Sequence, residues 1–429
     1  VNITLAHDMK RPARLFPLAL IFLAMITAHG MAGDGATIAD WPQFHGPAHD
    51  NTTSETGWRK DWPQDGPPAL WKTRVGAGMV SFAVVENRVF TAGNDGSDLD
   101  TIFCLDLATG KPVWRHDYPC KSAAHMMSIV PGGPCATPCV SGGHVFSISR
   151  EGDIFCLDSA TGAVVWQKNM VRDFQGRRPV YGYAGSPLVW QGRLFLDAGA
   201  KEGSTVCLNA GNGETIWAKG KGEAGYATPV IAQLAGKETL IMYKGRELAV
   251  MDPKDGGTIA SHATRTADFC NCATPAVTAD GHIFISHTGA EGSTGLKFDG
   301  TSLTRVWNVR DLGLLYNSGV PLGKNALMVF NDSVRGEDDM RCLDLTTGGA
   351  LWQSGGVEKG TAIFSDGHLI VLSTKGAVLL CKPSQTGIRV LARAQILDGK
   401  CWVLPVLSHG RLLCRSNAGY LVCLDLRQP

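Results

Sequence analysis

Charge is scarce in this chain of 429 residues: 18% are Asp, Glu, Lys or Arg, and 40 positive side chains face 39 negative ones. With 44% hydrophobic residues, this is not the composition of a disordered segment or a coiled coil, both of which are rich in charge. No run of Lys and Arg supplies an electrostatic footprint for phosphates, so nucleic acid is not an expected partner. Long apolar runs are missing too. The stretch Leu15 to Ile26 falls short of the roughly 20 residues that span a bilayer. It follows Met9, Lys10, Arg11 and Arg14 and leads into small residues up to Gly33, the pattern of a secretory signal over residues 1–32 with Met9 as the start. The expectation is an exported protein, periplasmic or extracellular, soluble and monomeric, with no transmembrane segment after cleavage near Ala32. No Cys precedes Cys104, so a lipid acceptor at the mature N-terminus is not expected. Also absent are a Gly-x-Ser-x-Gly elbow, a phosphate loop with Lys and a His-Glu-x-x-His helix. No catalytic residue is assigned.

What is abundant is Gly, with 52 residues, and 11 Trp spread along the chain. An eleven-residue pattern recurs: a small residue, any, Asp, three variable, Gly, three variable, Trp. Cys104, Asp106, Thr109, Gly110 and Trp114 form one copy; Cys156, Asp158, Thr161, Gly162 and Trp166 a second; Cys342, Asp344, Thr347, Gly348 and Trp352 a third. Degenerate copies hold Cys207, Asn209, Gly213 and Trp217; Val250, Asp252, Gly256 and Ala260; Lys297, Asp299 and Trp307; and Cys381, Gly387 and Leu391. An eighth is split between the ends, because Cys423 and Asp425 stop near the C-terminus while Trp71 stands on an orphan strand near the start. Roughly 390 residues over eight repeats is about 50 per unit, the length of a four-stranded blade with its loops. The predicted fold is all-β: an eight-bladed β-propeller over residues 69–429, preceded by a leader over 33–68 and closed by the N-terminal strand, which removes a free sheet edge. In each copy Asp and Thr satisfy turn donors, Gly permits positive φ and Trp is an apolar plate against the neighbouring blade.

The Ala-x-Asp-x-x-Thr-Gly-x-x-x-Trp motif resembles that of pyrroloquinoline quinone (PQQ) repeat propellers, with Cys for Ala in the copies at 104, 156, 207, 342, 381 and 423. Trp41-Pro42-Gln43-Phe44-His45-Gly46-Pro47 is similar to the leader of secreted bacterial members. The resemblance implies one of two branches: quinoprotein dehydrogenases, which hold PQQ and calcium and oxidise alcohols or sugars, or cofactor-free scaffolds such as BamB, an outer-membrane assembly lipoprotein. Fold does not choose between them. None of the 13 cysteines is adjacent to another, whereas many quinoprotein dehydrogenases carry a vicinal disulfide over the quinone. A Cys-x-x-Cys-His haem site is also absent. The expected function is a non-catalytic binding or scaffolding module for a protein or extracellular polymer, with a divergent PQQ- and calcium-dependent oxidoreductase as the alternative.

Six cysteines occupy the motif's small position and read as buried hydrophobes. Seven remain, at 120, 135, 139, 270, 272, 401 and 414. Cys120 and Cys135 could close a loop, a staple of about 3 kcal/mol. Cys135 and Cys272 each open a Cys-Ala-Thr-Pro segment, while Tyr226 and Trp402 stand three residues before Pro229 and Pro405. These positions precede the innermost strands, so Cys135, Tyr226, Cys272 and Trp402 are the candidate funnel rim, where propellers bind ligands. His125 and Cys270 are nearby in sequence, but the spacing is not a zinc signature. Arg172, Arg177, Arg178, Tyr181 and Tyr183 lie on a long connection and are the candidate partner-binding residues, Arg and Tyr being typical of interfaces. Asp95, Asp98 and Asp100, and less so Asp332 with Glu337 to Asp339, are weak calcium candidates without EF-hand spacing.

Overall fold

The computed structural model describes residues 37–122, 132–266, 270–287, 289, 291–332 and 339–428. The expected signal at 1–32, His125, Glu337 and Asp338 lie outside them. Eight four-stranded antiparallel sheets follow one another around the propeller. In blade 1 the strands are Ala83–Val85, Arg88–Asn94, Leu99–Asp106 and Pro112–Pro119. Its second strand is buried on both faces after Arg88, because neighbouring blades cover both sides of each sheet, while the outer strand alternates between exposed and buried positions. Blades 2 to 7 span 139–169, 188–219, 230–263, 276–309, 320–354 and 360–395. Blade 8 is built from Val406–Ser408, Arg411–Arg415 and Tyr420–Asp425, and Ala69–Arg74 pairs with the last of these, setting Trp71 opposite Cys423. The split eighth repeat therefore closes the ring. Among the described residues no helix is long and apolar enough to cross a membrane.

The repeat motif does the work its composition implies. Asp106 Oδ1 accepts from the Thr109 backbone N–H at 2.9 Å and from its hydroxyl at 2.8 Å. Asp158 does the same with Thr161. Each motif Trp leans on the next blade, and all but Trp352 cover its Gly turn. Trp114 Nε1 donates to Ser159 O at 2.9 Å, and its ring lies where a Cβ on Gly162 would stand, 2.6 Å away, with Gly162 at φ +75°. Trp71 covers Gly110, Trp166 covers Gly213, Trp217 covers Gly256 and Trp307 covers Gly348 in the same manner. Trp352 Nε1 donates to Ser384 O. Blade 4 carries Ala260 at the plate position, so the blade 4–blade 5 interface lacks the plate.

Two degenerate copies keep a different register from the sequence frame. Trp307 pairs with Gly295 rather than Lys297, and Cys381 faces Val390 rather than Leu391. The cause is a hairpin whose turn differs in length from the full copies, which the spacing of Asp and Trp alone does not reveal. The six motif cysteines are fully buried. All thirteen cysteines are free thiols, so the loop from Cys120 to Cys135 is not stapled.

The leader belongs to the core. Trp41 is fully buried and exchanges backbone hydrogen bonds with Val84 of blade 1, Pro42 O accepts from Val140 of blade 2, and Thr53 N donates to Phe364 O of blade 7. Ala39 O accepts from Ser408 of blade 8. Glu55, almost fully buried, gathers the backbone N–H groups of Ala39, His409 and Gly410, and burial is the main influence raising its pKa. One continuous segment thus ties the inner strands of blades 1, 2, 7 and 8 together.

Candidate functional site

Where the innermost strands begin, the blades are stitched by hydroxyls. Ser81 N donates to Thr137 Oγ1 at 3.0 Å, Thr137 N to Ser186 Oγ at 2.9 Å, Ser186 N to Thr228 Oγ1 at 3.1 Å, Thr228 N to Thr274 Oγ1 at 3.4 Å and Thr274 N to Ser318 Oγ at 3.0 Å. Thr361 Oγ1 donates to Val403 O, and Ser81 Oγ to Leu404 O. This girdle satisfies backbone donors that an inner strand, having no strand neighbour on that side, would leave buried and unpaired. Its signal was the recurring Ala-Thr-Pro and Ser-Pro at these starts, of which the sequence reading used only the flanking Cys, Tyr and Trp.

The girdle divides the central channel. On one side lies the leader, with contacts to inner strands beyond the girdle at Val84, Val140, Phe364 and Ser408, and a cavity of about 270 Å³ remains between its residues His45 and Asn51 and the inner strands of blades 4 to 6. The leader's tip, His45, is buried and touches the girdle, with Nε2 3.0 Å from Thr274 Oγ1 and Nδ1 paired with Asn51 Oδ1, an amide oxygen that accepts from a protonated Nδ1. Burial lowers the pKa of His45 to about 4.

On the other side the residues preceding the girdle ring the mouth of the channel. Of the candidate rim residues, Cys135, Cys272 and Trp402 are half-buried and Tyr226 is largely buried. The thiol of Cys272 is pushed up by burial and further by Cys270 and Cys135, and that of Cys135 is raised by burial and lowered by Arg150. Cys135 and Cys272, three blades apart, thus face the same space. Tyr316, which the sequence reading did not single out, stacks on Trp402 with ring centroids 4.6 Å apart and planes 15° from parallel, and Lys400 Nζ covers Trp402 at 5.1 Å. Beside this stack is a cleft of about 400 Å³ with Asn317, Asp332, Lys359, Thr361 and Cys401 on its walls. Lys359 pairs with Asp332 at 2.8 Å, and Asn317 Nδ2 donates to Asp332 at 2.6 Å.

The long connection between blades 2 and 3 separates its residues. It begins with a short helix, Met170–Phe174, capped by Asn169, whose side chain accepts from Val171 N and Arg172 N. Arg172 is exposed and paired with Asp173, and Arg178 pairs with Glu151 at 3.0 Å. Arg177 borders a shallow cleft with Lys201 and Glu223. Tyr181 leans on Tyr226 at 5.8 Å, and its N–H donates to the Tyr226 hydroxyl, so this residue joins the loop to the mouth. Tyr183 does not serve as a contact surface: it is 3% exposed, donates to Ala198 O at 2.9 Å and packs between blades 2 and 3.

The calcium candidates do not converge. Asp100 is fully buried and turned to Asn94, Ser122 and Tyr118, while Asp95 caps the exposed turn at Ser97. Among the described residues no group of three His, Cys, Asp or Glu side chains could hold a metal.

The sequence profile of the family described as outer membrane protein assembly factor BamB matches residues 47–131 and 125–329. Curated relatives of that name are 27% identical over 119 residues in Escherichia coli (strain K12), covering 26% of this chain and 28% of the relative. In Yersinia pestis the figures are 25% over 163 residues, 36% of this chain and 37% of the relative. The chain thus matches well under half the length of these relatives. Among solved structures, a europium-containing methanol dehydrogenase shares the fold, with a TM-score of 0.54 at 10% identity over 88% of this chain and 89% of its own.

Proposed function

Because the chain belongs to the PQQ-repeat propeller family of outer membrane protein assembly factor BamB, we propose that it is an exported, non-catalytic binding propeller that holds a protein partner at the open mouth of its channel. The observation that carries this reading is the composition of that mouth. Tyr181, Tyr226, Tyr316 and Trp402 form a broken aromatic rim, with Arg178 and Lys400 at its edge. Tyr181, Tyr316 and Trp402 are partly exposed over the buried Tyr226, and large aromatic rings flanked by Arg bury much area at low entropic cost and dominate protein interfaces. The leader is held by backbone hydrogen bonds to blades 1, 2 and 7, so a partner segment entering the mouth meets a preformed surface. An extracellular polymer would use the same rim.

The second reading, a divergent quinoprotein oxidising an alcohol or sugar, is favoured only by the Trp402–Tyr316 stack as a plate for a planar ring. Titrating PQQ with Ca²⁺ into the protein while following tryptophan fluorescence, with a dye-linked alcohol and sugar oxidation assay in parallel, separates the two. The binding reading expects neither saturation nor turnover. Saturable quenching accompanied by dye reduction would replace it with the quinoprotein.

A further inference from the structure

The face that carries the open mouth holds a second, separate cavity between blades 4 and 5. Its walls are the ends of strands that finish on that face: Tyr243 and His262 to Arg265 from blade 4, and His287, Glu291, Arg305, Asn308 and Arg310 around blade 5. It encloses about 380 Å³, within the roughly 300–1,000 Å³ of small-molecule sites. It is one of two interfaces without a Trp plate, the other following blade 7.

Its chemistry is one-sided. Arg265, Arg305 and Arg310 are exposed and, among the described residues, none of them makes an ion pair. Glu291 is the one acidic residue among the walls. Elsewhere on the surface Arg is commonly neutralised by a neighbour, as Arg115 is by Asp117, Arg172 by Asp173, Arg393 by Glu358 and Arg427 by Asp425. Deeper in the cavity Tyr243 is 2% exposed and its hydroxyl has no hydrogen-bond partner among the described residues. A buried hydroxyl without a partner costs free energy that a ligand acceptor would recover. His287 Nδ1 accepts from Gly289 N at 3.0 Å, which puts the imidazole proton on Nε2 as a further donor.

We propose that this cavity binds the phosphate or sulfate group of a small ester, the three guanidinium groups pairing with the oxyanion and the Tyr243 hydroxyl donating to it. Guanidinium forks match tetrahedral oxyanions in geometry as well as charge, and the volume beyond the anion accommodates the organic part of the ester. The site is independent of the partner reading of the central mouth.

Isothermal titration with inorganic phosphate, inorganic sulfate, glucose 6-phosphate and glucose 6-sulfate tests it. The expected result is one saturable site, tighter for an ester than for its free ion. Arg305→Gln should weaken binding by about tenfold or more, the loss of a charge-assisted hydrogen bond, and Tyr243→Phe should weaken it without changing the fold, since the hydroxyl has no protein partner to lose. Arg115→Gln, on blade 1, is the control and should bind as the parent does. Equal binding by Arg305→Gln and the parent, or no saturable heat with any of the four probes, would overturn the proposal. Free ions binding as tightly as the esters would overturn the assignment to an ester.

Discussion

If each Trp plate holds the next blade through the glycine beneath it, Trp114 and Gly162 must be energetically coupled, and with a definite sign. Trp114→Ala removes a nearly buried indole, 9% exposed, together with its hydrogen bond to Ser159 O, and should cost about 3–5 kcal/mol. Gly162→Ala places a Cβ at φ +75°, 2.6 Å from the Trp114 ring. The left-handed backbone costs about 1–2 kcal/mol and the collision a further ~1–3 kcal/mol. In the Trp114→Ala background the ring is gone, so Gly162→Ala should cost only its backbone share. The double mutant is therefore expected to be more stable than the sum of the singles by about 1–3 kcal/mol. Gly96, at φ +102° with nothing within 4 Å of its Cβ position, supplies the control: Gly96→Ala should cost the same in both backgrounds. Equilibrium urea unfolding followed by far-UV circular dichroism gives the four corners of the cycle. Additivity within about 0.5 kcal/mol would refute the docking argument, whatever the size of the single losses.

Other outcomes follow from the same structure. The pKa of His45 is lowered from 6.5 to about 4, so its stabilising effect is complete above pH 6.5 and lost as pH falls through 4; at pH 5 the loss is about 2 kcal/mol. A His45→Gln variant should flatten that part of a pH–stability profile, and an unchanged slope would argue against a neutral buried His45. Thr137→Val leaves the Ser81 N–H without its acceptor and should lower stability by about 1–3 kcal/mol, measured by the same urea titration; a loss below about 0.5 kcal/mol would mean the girdle contributes little. Cys135, Cys270 and Cys272 are the half-buried thiols and the other ten are buried, so a thiol reagent should label those three quickly in the native protein and all thirteen after denaturation. Fast labelling of Cys104 or Cys156 would contradict their place in the blade core.

The propeller was legible because its determinants are local and repeated. Asp106, Thr109, Gly110 and Trp114 sit within one hairpin, and the same four chemistries recur at a fixed spacing, so blade count and ring closure by Trp71 follow from pattern alone. That Cys135, Tyr226, Cys272 and Trp402 precede inner strands of different blades was legible for the same reason. The leader's role was not. His45 meets Thr274, and Asn51 meets Gly319 O, across more than two hundred residues of chain, and such contacts leave no periodic trace. Tyr316 was missed because Gly319 stands three residues after it, where Pro follows Cys135, Tyr226, Cys272 and Trp402. Tyr183 was misplaced because Tyr beside Arg reads as interface until burial is known, and the cavity at Arg265, Arg305 and Arg310 was invisible because two blades contribute to it from separate hairpins.

The central claim is that the open mouth, not the leader side, is the working face of this propeller. A photoreactive amino acid placed singly at Tyr181, Tyr316 or Trp402, and as controls at Ile38 on the leader and Val113 on a blade edge, both exposed, would test it in the envelope of the producing cell. The account predicts light-dependent crosslinks to one discrete protein from the three mouth positions and none from the two controls. Crosslinks from Ile38 or Val113 with none from the mouth would contradict it.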